Sequence, residues 1–117
     1  MPLRLPPPRQ QPEKKEQATI CEVLERVGAK VYVLGTKRPA GDFQGTRQTP
    51  GIPDLLAFLP VNFGPSVQLW IEVKARRGRM RPAQVEFLRQ CQDADQPHVA
   101  GGIDAVIAYL TNGGWLK

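Results

Sequence analysis

Between Gly51 and Gln84 the chain sets two strand-length apolar runs in succession and puts charge at the end of each. The first run, Leu55–Leu59, follows Gly51-Ile52-Pro53-Asp54. The second begins at Val67 and closes on Ile71-Glu72-Val73-Lys74, and Pro60–Pro65 supplies the turn between them. Side chains alternate faces along a strand, so Asp54, Leu56 and Phe58 share one face of the first. Glu72 and Lys74 share one face of the second, leaving Leu69, Ile71 and Val73 for the core. If the strands pair, two carboxylates and an amine meet at the strand ends. Unpaired charge is costly to bury, so the arrangement demands a reason.

A hard-metal site is one reason. Two carboxylates a strand apart can hold Mg²⁺ or Mn²⁺, which prefer oxygen ligands, and the carbonyl of Val73 offers a third oxygen. Lys74 would serve an attacking water or neutralise charge on a phosphoryl oxygen. Lewis acid, activated water and cation are what phosphodiester hydrolysis needs. The alternative is a salt pair on an edge strand, because Glu-x-Lys triplets are common in ordinary sequences.

Taken together, Gly51-Ile52-Pro53-Asp54, Glu72-Val73-Lys74 and Gln84 resemble the motifs of the VRR-Nuc domain, of the PD-(D/E)xK nuclease superfamily. The stand-alone form of that family, common in phages and prophages, is similar in size to this chain. The likeness runs from about Glu16 to Leu110, and its motifs are most specific in the middle. It implies a restriction-endonuclease-like αβββαβ core, an α+β fold in which a mixed sheet is flanked by helices. It also implies a glutamate ligand from the first helix. In the family an arginine often follows the first strand, where this chain reads Leu34-Gly35-Thr36. A Ser or Thr usually caps the helix that carries the glutamine, where this chain has Arg81.

At 117 residues the chain is long enough for one domain with a modest core. Its net charge of +5, from 16 basic and 11 acidic residues, suits a polyanionic partner. Cys21 and Cys91 stand far apart and read as buried thiols rather than a disulfide framework or zinc site. No apolar run approaches the ~20 residues of a membrane span, and no signal-peptide pattern opens the chain. A cytoplasmic protein with no membrane association is expected.

Met1–Pro12, with five of the chain's 12 prolines and Arg4 and Arg9, reads as a disordered or polyproline arm ahead of one domain over 13–117. Glu13 to Gly28 reads as the first helix, with Ile20, Val23, Leu24 and Val27 on one stripe. Glu16 projects onto that stripe one turn earlier and is the position matched to the family's helix ligand. Glu13 projects there too, and either carboxylate would also favour the helix N-terminus. Lys30–Leu34 should be the first strand. Gly35–Pro50 is a long loop carrying Lys37, Arg38 and Arg47. Lys74 opens a run of five basic residues in eight, with Arg76, Arg77, Arg79 and Arg81, placed to hold phosphates. Pro82 begins a helix through about Gln92, with Gln84 in its first turn. His98–Gly101 suggests a last strand and Ile103–Leu110 a last helix, with a strand over Ala105–Leu110 as the competing pattern. His98 has no partner in sequence and reads as incidental.

The expectation is a Mg²⁺- or Mn²⁺-dependent DNA endonuclease. Asp54, Glu72 and Glu16 hold the metal with the Val73 carbonyl, Lys74 serves the water, and Gln84 orients it. No base-reading module is evident, so DNA structure rather than sequence would direct cutting. Stand-alone members of the family are similar to Holliday-junction resolvases. Two-fold-related strands call for two active sites, hence a homodimer. Flap, nicking or non-specific cutting by the same site, a non-catalytic DNA-binding module, and a small structural protein are the alternatives.

Overall fold

The computed structural model describes residues 13–34, 50–61, 66–75 and 78–117. In chain order these form α1 (Glu13–Arg26), β1 (Lys30–Val33), β2 (Leu55–Leu59), β3 (Val67–Val73), α2 (Pro82–Asp93), β4 (His98–Gly101) and α3 (Ile103–Asn112). The expected arm over 1–12, and the loop after β1 apart from Pro50, lie outside the described residues.

Apolar periodicity makes α1 a helix and buries Ile20 and Leu24 completely. Its end is set by Gly28 at φ +92, a left-handed residue that costs glycine little. There Ala29 N–H donates to Leu24 O at 2.9 Å and Gly28 N–H to Glu25 O at 3.0 Å, closing the helix in a Schellman motif.

The sheet runs β1-β2-β3-β4. β1 and β2 are antiparallel, as are β2 and β3, whereas β3 and β4 are parallel. Parallel strands need a crossover, and α2 supplies it. Leu55 lies opposite Ile71, Leu56 opposite Trp70, and Glu72 opposite Ala100. One sheet face gives Leu55, Ala57, Leu59, Leu69, Ile71 and Val73 to a core completed by Ile20 and Leu24 of α1 and Val106 and Leu110 of α3. Each fully buried Leu, Ile or Val side chain among these contributes roughly 1.5–3 kcal/mol by leaving water.

The other face carries α2, docked through Phe87 against Trp70 at a ring separation of 5.2 Å. The last segment is helical, so the strand pattern over Ala105–Leu110 is not adopted. As a helix it buries Val106 and Leu110 and leaves Ile107 partly exposed. Mixed sheet and flanking helices make the α+β arrangement expected from sequence.

Candidate active site

Asp54 stands where β2 begins. Pro53 before it is buried and has no N–H for a ladder, so regular pairing starts only at Leu55. Two bonds fix the aspartate. Its carbonyl accepts from Leu34 N–H at 2.8 Å, and its carboxylate Oδ2 accepts from Val73 N–H at 2.8 Å. The strand register, carried one residue past Leu55 and Ile71, sets Asp54 opposite Glu72.

Glu72 is on the outer face of β3, yet only 2% of it is exposed. The first turn of α2 covers it. Gln84 Nε2 donates to Glu72 Oε1 at 2.7 Å, while Gln84 Oε1 accepts from Arg81 N–H at 2.8 Å. A guanidinium has no acceptor, so Arg81 cannot complete the reciprocal capping box of a Ser or Thr. Gln84 is thus held at both ends of its amide. Glu72 Oε2 is buried and, among the described residues, has no hydrogen-bond partner.

Lys74 Nζ lies 3.7 Å from Glu72 Oε1 and 3.9 Å from Glu13 Oε1. Both separations are within ion-pair reach but beyond hydrogen-bond distance. Burial raises the Glu72 carboxyl to about 7; the adjacent Asp54 carboxylate adds to the rise, Lys74 opposes it, and Glu13 adds to it. A buried carboxyl forced toward neutrality beside a second carboxylate is a group short of positive charge.

Among the described residues no cluster of three or more His, Cys, Asp and Glu is arranged around a metal position. The acidic donors that do converge are Asp54 and Glu72. The orphaned Oε2, the paired carboxylates and the adjoining Val73 peptide are a donor set of hard oxygens, which fits a small divalent cation. Glu16 has another partner. Its Oε2 accepts from Ile103 N–H at 2.9 Å, so the expected helix ligand instead caps α3 across a separation of 87 residues. Glu13, one turn earlier, is the α1 carboxylate that faces Lys74. The sequence projection put both on the stripe; the α3 N-terminus distinguishes them.

A turn doubles back beside Lys74, with Gly78 N–H donating to Ala75 O at 2.7 Å. An open cleft of about 280 Å³ adjoins it, lined by Lys74, Gly78, Met80 and Gly101 among others. Arg79 and Arg81 are exposed nearby in sequence. The other expected phosphate-holding residues, Lys37, Arg38, Arg47, Arg76 and Arg77, lie outside the described residues. His98 is opposite Trp70, and its Nδ1 is 3.0 Å from Gln96 O.

A mixed sheet that presents an aspartate, a glutamate and a lysine at adjoining strand ends is the arrangement of a nuclease-type fold. The chain belongs to the VRR-NUC domain family, whose model matches residues 10–109. It is similar in fold to a solved structure described as "VRR_NUC domain", at 24% identity and a TM-score of 0.62, over 86% of this chain and 94% of that one. No curated protein matches it. Among the described residues no helix is long and apolar enough to cross a membrane.

Proposed function

We propose that this protein is a Mg²⁺- or Mn²⁺-dependent DNA endonuclease acting on branched DNA in the manner of a Holliday-junction resolvase. The observation that carries the reading is Glu72: buried, short of positive charge, and with one carboxylate oxygen that has no partner among the described residues. Asp54 and Glu72 would hold the cation, with the Val73 carbonyl as a further oxygen. Bound there, a divalent ion supplies Lewis acidity to a phosphoryl oxygen and lowers the pKa of a water.

The rest is done by side chains. Lys74, loosely held at 3.7 and 3.9 Å, is free to turn its ammonium toward a phosphoryl oxygen and take up the charge that develops there. Gln84 fixes the rotamer of Glu72 through Nε2 and keeps its other lone pairs directed at the cation position. Asp54 is aimed by the Val73 N–H. The exposed guanidinium groups of Arg79 and Arg81 grip flanking phosphates, which position the substrate without reading bases.

With no base-reading module among the described residues, DNA structure would direct cutting; paired cuts across a two-fold junction would call for a homodimer, which we place in the cytoplasm. The test is cleavage of labelled four-way junction, flap, nicked and linear duplexes with and without Mg²⁺, beside a Lys74→Ala variant, with light scattering for the dimer. Junction cutting in symmetric pairs, dependent on Mg²⁺ and lost in the variant, is expected. Cation-independent binding without turnover would leave a DNA-binding module instead.

A further inference from the structure

We infer that Gly51 is a positioning residue: its bare Cα lets the Asp54 loop press against the first turn of α2, and that contact holds Gln84 on Glu72. The inference rests on the reading of Asp54, Glu72 and Lys74 as a hydrolytic site.

Gly51 has φ +82, a left-handed conformation that side chains rarely adopt. Space excludes a side chain as well. A Cβ at this position would sit 2.5 Å from the carbonyl carbon of Ala83, closer still to its oxygen, and 3.0 Å from its Cβ. The obstruction is helix backbone, not the end of a flexible side chain. By helical geometry that carbonyl accepts from the N–H of Phe87, so a displacement there opens the first turn.

The loop cannot yield in place of the helix. Three residues beyond Gly51, Asp54 is bonded to the sheet by its carbonyl to Leu34 N–H and its carboxylate to Val73 N–H, each at 2.8 Å. Pro53 between them is buried. By contrast α2 is held lightly. Val85 is 53% exposed, and the Phe87–Trp70 ring pair that docks the helix on the sheet lies beyond the first turn, as does the buried Cys91. The position of the first turn therefore depends on Gly51 against Ala83 and on Gln84 against Glu72. Gln84 is the next residue after Ala83, and its bond to Glu72 is 2.7 Å long. A side chain at 51 would lift it away and leave a second carboxylate oxygen of Glu72 without a donor.

The experiment uses the full chain with Gly51→Ala, beside Gly113→Ala as a control for steric damage. A Cβ at Gly113 would run into the ring of Trp115, at the C-terminal end of α3, away from the site. In the metal-free protein, the Gln84 side-chain amide protons, read by ¹⁵N NMR, should shift to free-amide values and exchange rapidly in Gly51→Ala. They should stay in place in Gly113→Ala. In single turnover, Gly51→Ala should lower the cleavage rate about 10²-fold, the scale of an ångström-level misplacement, with DNA affinity changed less than about twofold. Gln84→Ala should do the same, and the double variant should be no slower than either single one, since both remove one interaction.

If Gly51→Ala fails to fold, Ala83→Val enters the same space from the helix side without left-handed strain and carries the same expectations. Unchanged Gln84 resonances in the folded variant, or rate losses that multiply in the double variant, would overturn the proposal. If the wild-type chain cuts no DNA, the hydrolytic reading fails, while the metal-free NMR comparison still decides whether Gly51 places Gln84.

Discussion

Replacing Glu72 by Gln should make the metal-free protein more stable near neutral pH while abolishing cleavage. The carboxyl of Glu72 is raised from an ordinary 4.5 to about 7. Across that window the folded state binds the proton more tightly than the unfolded chain, so stability falls as pH rises from about 4.5 to about 7 and stays low above it. At about 1.4 kcal/mol per unit, the full penalty is about 3 kcal/mol. Charged neighbours that relax around Glu72 soften this, so about 1–3 kcal/mol is the expected range. The substituted amide would keep an oxygen for the Gln84 amide and turn an NH₂ toward Asp54, replacing repulsion by a hydrogen bond. Thermal and urea unfolding in EDTA, at about pH 5 and about pH 8, measures the effect. Near pH 5 the two proteins should differ little. Near pH 8 the variant should melt higher, by roughly 4 °C for each kcal/mol. Adding Mg²⁺ should raise the melting temperature of the wild type, because binding favours the folded state, and leave the variant unmoved. A variant destabilised equally at both pH values would show that Glu72 is charged, satisfied by Lys74 and in no need of a cation.

Lys74→Ala should slow cleavage by about 10²–10³-fold, the usual loss for a group that meets developing charge, while a filter-binding Kd for DNA changes by less than about threefold. Asp54→Asn retains an oxygen for the Val73 N–H, so its stability should stay within about 1 kcal/mol of wild type, yet titration calorimetry should show no Mg²⁺ binding. Glu16→Ala should cost about 1 kcal/mol in urea unfolding by uncapping α3 and leave cleavage nearly intact. Loss of cleavage without loss of stability would instead return Glu16 to the metal. Trp115→Phe removes the Nε1–H bond to Pro60 O, 2.9 Å long, and should lower stability by about 1 kcal/mol in the same assay with the cleavage rate unchanged.

The strands were legible because their apolar runs end in Gly and Pro, and α1 because its stripe closes at Gly28. Those are local signals, and local geometry decided them. The Ile103–Leu110 segment was ambiguous because its apolar residues satisfy two periods at once. What resolves it is tertiary: Val106 and Leu110 complete the core beside Ile20 and Leu24, which a helix allows at that spacing. Glu72 meets Asp54 through strand register and Gln84 through the first turn of α2; face alternation and the helix start were readable, whereas the register is set by the tertiary pairing. Glu16 could not be assigned the same way. Helical projection placed it and Glu13 on one stripe, and only the α3 N-terminus, 87 residues on, takes one of them away. The close approach of Gly51 to Ala83 was equally hidden, since a glycine between prolines reads as turn chemistry whether or not a helix lies against it.

A structural salt pair between Glu72 and Lys74 remains the plainest rival, and the geometry weighs against it. A buried ion pair offsets the loss of hydration only when its contacts are short and its remaining polar atoms are satisfied. Here the nitrogen is 3.7 Å from one carboxylate oxygen and nearly as close to Glu13, and the other oxygen of Glu72 has no partner among the described residues. The closest donor to Glu72 is a neutral amide, and its nearest acidic neighbour raises its pKa further. For a salt pair this arrangement is poor; a bound cation would relieve each of these defects together. It would face the orphaned oxygen, screen Asp54 from Glu72, and release Lys74 toward the substrate.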